Sequence, residues 1–97
     1  MIDINKVKNV ITDNMTKVGI KYKIENDTIT IYETGNKRED KVNKIELFTF
    51  LTEQPFIAIT NLTGDNNEVI WNVKLIDNNI ITIIWMRKEK LYDIQYQ

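Results

Sequence analysis

The chain carries 14 carboxylates but none of their usual catalytic companions, because its 97 residues include no Cys, no His and no Ser. Without Cys there is no disulfide, no thiolate nucleophile and no Cys-based zinc site. Without His the side chain most used as a general base near neutral pH is missing, as is the commonest metal ligand. A nucleophilic triad has neither its serine nor its imidazole. What remains is a carboxylate pair for acid–base work. Yet Asp3, Asp27, Asp40, Asp65, Asp77 and Glu89 all fall at expected caps, turns or solvated faces, where local backbone preference places them without any role in catalysis. No pair stands out, and the chain reads as a non-enzyme.

Ligand motifs are equally sparse. Thr63-Gly64-Asp65-Asn66-Asn67-Glu68 is rich in oxygen donors, but it lacks the alternate-position ligands and distal Glu of a calcium loop. A glycine-containing turn explains it, and no metal is expected. The glycines, Gly19, Gly35 and Gly64, are too far apart to cradle a phosphate. No cofactor is therefore expected.

Basic residues lie on the first predicted helix (Lys6, Lys8, Lys17), on the first predicted hairpin (Lys21, Lys23) and near the C-terminus (Arg87, Lys88, Lys90). Tyr92 and Tyr96 could add stacking rings, as a single-strand binder requires. Against that, there are two arginines, the net charge is -1 and the isoelectric point is near 5.4. A nucleic-acid binder of this size normally shows a basic excess, so nucleic acid is a third-ranked partner.

The aromatic residues offer two further possibilities. Trp71, Trp85 and Tyr22 could line a ligand cavity, or the two tryptophans could be cross-strand core partners. Tyr92, Ile94 and Tyr96 share one face of an expected terminal strand. If that strand is an edge, it offers a partner surface or a homodimer seam. The expected partner-binding residues are accordingly Arg87, Lys88, Lys90, Tyr92 and Tyr96.

The elements that would position these residues follow from hydrophobic spacing. Ile4, Val7, Ile11, Met15 and Val18 mark one face of a helix over 4–18, with Asp3 as N-cap, Gly19 as terminator and Ile2 and Val7 as a staple. Alternation then predicts a hairpin turning at Asn26-Asp27, a type I′ turn, with Tyr22 opposite Ile31, Ile24 opposite Ile29, Lys23 opposite Thr30 and Lys21 opposite Tyr32. Residues 34–41 read as a polar loop. The next segment supports two assignments. Val42, Ile45, Phe48 and Leu51 recur as on a short helix over 41–53 capped by Asp40, while Ile45–Leu51 has the composition of a strand.

From Phe56 onward the pattern is β. A strand is expected over 56–60, followed by a loop over 61–67 and an alternating strand at Val69, Trp71, Val73 and Leu75. A turn at Asp77-Asn78-Asn79, with Asn79 left-handed, would then pair Leu75 with Ile81, Val73 with Ile83 and Trp71 with Trp85. Ile80–Met86 is apolar on both faces, which predicts a central, doubly covered strand. Leu91–Tyr96 would close the sheet after a charged turn at 87–90.

The expected fold is one α+β domain over 1–97: an N-terminal amphipathic helix on a mostly antiparallel, hairpin-connected sheet. There is no secretory signal or membrane-length apolar run, and a cytoplasmic location is expected. The N-x-T triplets at Asn14, Asn26 and Asn61 follow from composition, with 12 Asn and 10 Thr present. With 17 Ile, 12 Asn and 11 Lys, the codon bias points to a low-GC bacterium or one of its phages. The functional expectation is a non-enzymatic protein-interaction module, exemplified by a phage- or mobile-element-encoded inhibitor of a host enzyme or defence complex. A small-ligand or nucleotide sequestering module is the alternative.

Overall fold

A computed structural model of the chain describes residues 3–54, 57–65 and 68–87. Its elements are α1 (Ile4–Lys17), β1 (Tyr22–Glu25), β2 (Thr28–Tyr32), α2 (Lys37–Thr52), β3 (Ile57–Thr63), β4 (Val69–Leu75) and β5 (Ile80–Met86). The class is α+β: among the described residues, two helices and a five-stranded sheet in the order β1-β2-β5-β4-β3. Every strand pair is antiparallel except β2 with β5. That parallel pair arises because α2 and the β3–β4 hairpin intervene before the chain returns beside β2.

Helix α1 follows its spacing. Asp3 accepts from the Asn5 N–H at 2.9 Å, and Val7, Ile11 and Met15 are buried. The C-terminus closes as a Schellman motif: Gly19, at φ +80°, donates to Thr16, and Ile20 donates to Met15 at 2.8 Å. The buried Ile20 supplies the apolar contact that usually accompanies this closure. Ile2, assigned to the staple, lies outside the described residues.

The ambiguous middle segment is a helix, and a longer one than expected. Its cap is Asn36, whose side chain accepts from Glu39 N–H at 3.1 Å, so the polar loop is shorter and the helix begins at Lys37. Asp40 is not the cap. It is buried within the helix and turns back to accept from Thr34 N–H, Thr34 Oγ1 and Gly35 N–H. Of the three-residue stripe the helix buries Leu51 alone, together with Leu47 four residues before it. Val42, Ile45 and Phe48 are exposed, because a strict spacing of three drifts off one face of a 3.6-residue helix.

The first hairpin has the expected register, Tyr22 opposite Ile31 and Ile24 opposite Ile29, and Tyr32 N–H bonds the Lys21 carbonyl. Its turn departs from type I′, since Asn26 has φ +54° and Asp27 does not take a positive φ. The β4–β5 hairpin is shifted by two residues from expectation, with Val73 opposite Ile81, Trp71 opposite Ile83 and Val69 opposite Trp85. Leu75 N–H closes on Asn79 O at 2.8 Å, and the left-handed residue is Asn78, at φ +72°, not Asn79. A shift of two keeps every side chain on its expected face, because the strand period is two. Strand β3 runs on to Thr63, through residues expected to be loop, because Asn61, Leu62 and Thr63 continue the ladder against Trp71, Ile70 and Val69.

Both helices pack on one face of the sheet. Val7, Ile11, Met15, Leu47 and Leu51 meet Ile29, Ile31, Trp71, Val73, Leu75, Ile81, Ile83 and Trp85 in one buried cluster. β5 is central, as its composition required, and both of its edges are taken, by β2 and β4. Cover on both faces is not seen: among the described residues, no helix or strand packs on its other face. The expected strand Leu91–Tyr96 lies outside the described residues. No described helix is long and apolar enough to cross a membrane.

Candidate interaction surface

The face of the sheet opposite the helices is built by strict alternation. On β5, Ile81, Ile83 and Trp85 go to the core, which turns Ile80, Thr82, Ile84 and Met86 outward. The registers align these into rows across the sheet. Thr30, Ile84, Ile70 and Leu62 form an apolar row spanning β2, β5, β4 and β3. Beside it run Thr28, Thr82, Asn72 and Thr60, with Thr82 Oγ1 donating to Asn72 Oδ1 at 3.2 Å. On the other flank Tyr32 lies against Met86. Tyr32, Leu62, Ile80 and Met86 are 44–47% exposed. The charged side chains that the strands put on this face, Lys23, Glu25 and Lys74, stand at its margins, and Lys21, opposite Tyr32, precedes β1 on the same side.

Arg87 follows directly where β5 ends, on the helix side by the same alternation, and it has an interaction partner within the protein. Of the residues expected to bind a partner, Lys88, Lys90, Tyr92 and Tyr96 lie outside the described residues. Arg87 also lines a cleft of about 760 Å³ at the strand ends, with Ile20, Ile31, Tyr32, Asn43 and Trp85. Of the three acids around this cleft, Glu33, Glu39 and Asp40, two are already occupied. Asp40 holds the 34–35 backbone, and Glu33 pairs with Lys44. Lys44 Nζ in turn sits 5.6 Å from the Trp85 ring centroid. Trp85 Nε1 is buried with no hydrogen-bond partner among the described residues, an unusual state for a polar group.

The expected cavity between Trp71, Trp85 and Tyr22 is not formed. Trp71 and Trp85 pack edge to face at 5.3 Å and 68°, Phe48 packs on Trp71 at 5.5 Å, and both indoles are buried. The rings fill the space they were expected to enclose, and only Trp85 reaches the cleft just described. The lysines likewise fail to converge. Lys8 is tied to Asn26 O and Asp27 on the helix side, whereas Lys23 belongs to the open face. Among the described residues, no group of three or more acids is placed to hold a metal ion. Several carboxylates instead have local duties: Asp3 caps α1, Asp27 pairs with Lys8, and Asp77 accepts from Asn79.

The open face was missed in the sequence, although its signal is there. The outward residues of β4 and β5 include Ile70, Ile80, Ile84 and Met86, more apolar than a solvated face requires. No family model, curated protein or solved structure matches the chain.

Proposed function

We propose that this chain is a non-enzymatic interaction module that docks a protein partner on the open face of its sheet. The observation that carries the reading is the continuous Ile84–Ile70–Leu62 row with Met86 and Tyr32 beside it. Single exposed apolar side chains are ordinary, but a contiguous set crossing several strands is a recognised mark of an interaction surface. Threonines and Asn72 border the row and supply hydrogen-bonding groups where an interface has its polar rim. The partner this suits presents a flat apolar patch with few charges. Tyr32 is the sole aromatic residue on the face among the described residues, which is too few rings for a nucleic-acid stacking platform. The finer reading, that docking blocks a host enzyme or defence complex, rests on the small size and low-GC codon bias.

The test is paired affinity capture from a low-GC bacterial lysate. Wild type and Val42→Lys, altered on the outer strip of α2, should recover the same partner. Ile84→Lys and Met86→Lys should lose it while keeping a cooperative thermal melt. Recovery of the partner undiminished by both sheet-face variants contradicts the assignment.

A second reading, sequestration of a small ligand, is favoured by the cleft floored by Ile20, Ile31 and Trp85. A metabolite panel that raises the melting temperature of wild type but not of an Asn43→Trp variant would support it. A uniform absence of shifts would count against it.

A further inference from the structure

We infer that the outer edge of β3 pairs with β3 of a second copy, joining two sheets into one antiparallel sheet across a two-fold axis. The phase of the ladder decides which backbone groups that edge presents. Gly64 N–H bonds Glu68 O, and Leu75 N–H bonds Asn79 O. Antiparallel pairing alternates strictly, so Ala58, Thr60 and Leu62 turn their N–H and C=O groups toward β4. Ile57, Ile59, Asn61 and Thr63 therefore turn theirs outward. Ile57 N–H is already spent on Gln54 O. No described residue bonds the outward groups of Ile59, Asn61 and Thr63.

These three residues are evenly spaced about Asn61, which makes the edge self-complementary. With Asn61 opposite Asn61 of the other copy, Ile59 faces Thr63 and Thr63 faces Ile59. Each then exchanges both of its backbone bonds, as an isologous two-fold contact requires. Thr60 and Leu62 meet across the seam on the open face, so that face runs on from one copy into the next. The strand carries no charged residue, no proline and no glycine between Ile57 and Thr63, so it lacks the side-chain devices that usually blunt an edge. Its second half, Thr60–Thr63, is exposed on both faces of the sheet and clear of the helices.

The opposite edge is protected. β1 is four residues long, carries Lys23 and Glu25, and its turn is tied to α1 through Lys8. Pairing at β3 goes beyond docking on the open face and uses different atoms.

One strand pair makes a small interface, so the dimer should be concentration-dependent. Light scattering coupled to size exclusion, over about 1 µM to 1 mM, should show wild type rising from the 11.5 kDa monomer toward twice that mass. Asn61→Pro removes an outward N–H that no described residue accepts, a position where an edge strand tolerates proline. It should remain monomeric throughout with its melt preserved. Asn61→Lys, which sets two like charges against each other at the two-fold, should do the same, whereas Ile84→Lys should leave the dimer intact. A wild type that stays at 11.5 kDa over the whole range overturns the inference, as does a dimer that survives both Asn61 variants. A dimer lost in Ile84→Lys and kept in Asn61→Pro would move the contact to the open face, which also overturns it.

Discussion

Replacing Asp40 with Ala removes one carboxylate and leaves three donors without their acceptor. Asp40 is 8% exposed, so the carboxylate itself is well desolvated. Its oxygens accept from Thr34 N–H at 2.8 Å, Thr34 Oγ1 at 2.9 Å and Gly35 N–H at 3.2 Å. A hydrogen bond to a charged group contributes about 1.5–3 kcal/mol, and the sum here falls short of three such bonds. Thr34 and Gly35 are exposed, so water can reach the donors once the carboxylate has gone. Alanine also recovers up to about 0.7 kcal/mol of helix propensity. The expected loss is about 2–3 kcal/mol. For a domain of this size that lowers the melting temperature by about 8–24 °C. Asp40→Asn keeps an acceptor for Thr34 but can turn an amide donor toward Gly35, and should lose about half as much. Thermal unfolding followed by circular dichroism at one pH decides it. A drop under about 3 °C for Asp40→Ala would refute the idea that this carboxylate organises the turn into α2.

Further outcomes follow from neighbouring positions. Ile83→Ala should cost about 2–5 kcal/mol because Ile83 is fully buried in the central strand, whereas Ile84→Ala, on the open face, should cost about 1 kcal/mol, both measured by urea unfolding. Equal losses would mean that both faces of β5 are packed. Gly19→Ala should cost about 1 kcal/mol from its φ of +80°, although a Cβ there meets open space. Gly64→Ala, whose Cβ would meet the flexible Glu68 side chain, should cost less, and comparison of the two melts checks the order.

What could be read in advance was governed by local periodicity. α1, the first hairpin and the β4 and β5 strands follow from 3.6- and two-residue spacing, with Asp3 and Gly19 marking the helix ends. Turn closure was less legible. Asn78 and Asn79 are chemically equivalent as left-handed candidates, and choosing the wrong one moves the register by two without moving any side chain to the other face. The start of α2 was hidden because Asn36 and Asp40 are both good caps; the choice depends on Gly35, at φ +88°, delivering the chain so that Asp40 can reach back. The open face was hidden for a topological reason. An apolar central strand is compatible with cover on both faces, and only the position of both helices on one side shows which face the described residues leave open.

The open face is the central claim, and site-specific photo-crosslinking tests it most directly. A photoreactive residue is placed at Thr82, in the middle of the face, or at Ile45, on the exposed outer strip of α2. Each protein is irradiated in the same low-GC bacterial lysate. The account predicts a discrete covalent adduct to a protein other than this chain from position 82 and none from position 45. An adduct from 45 alone, or equal labelling from both, would contradict it.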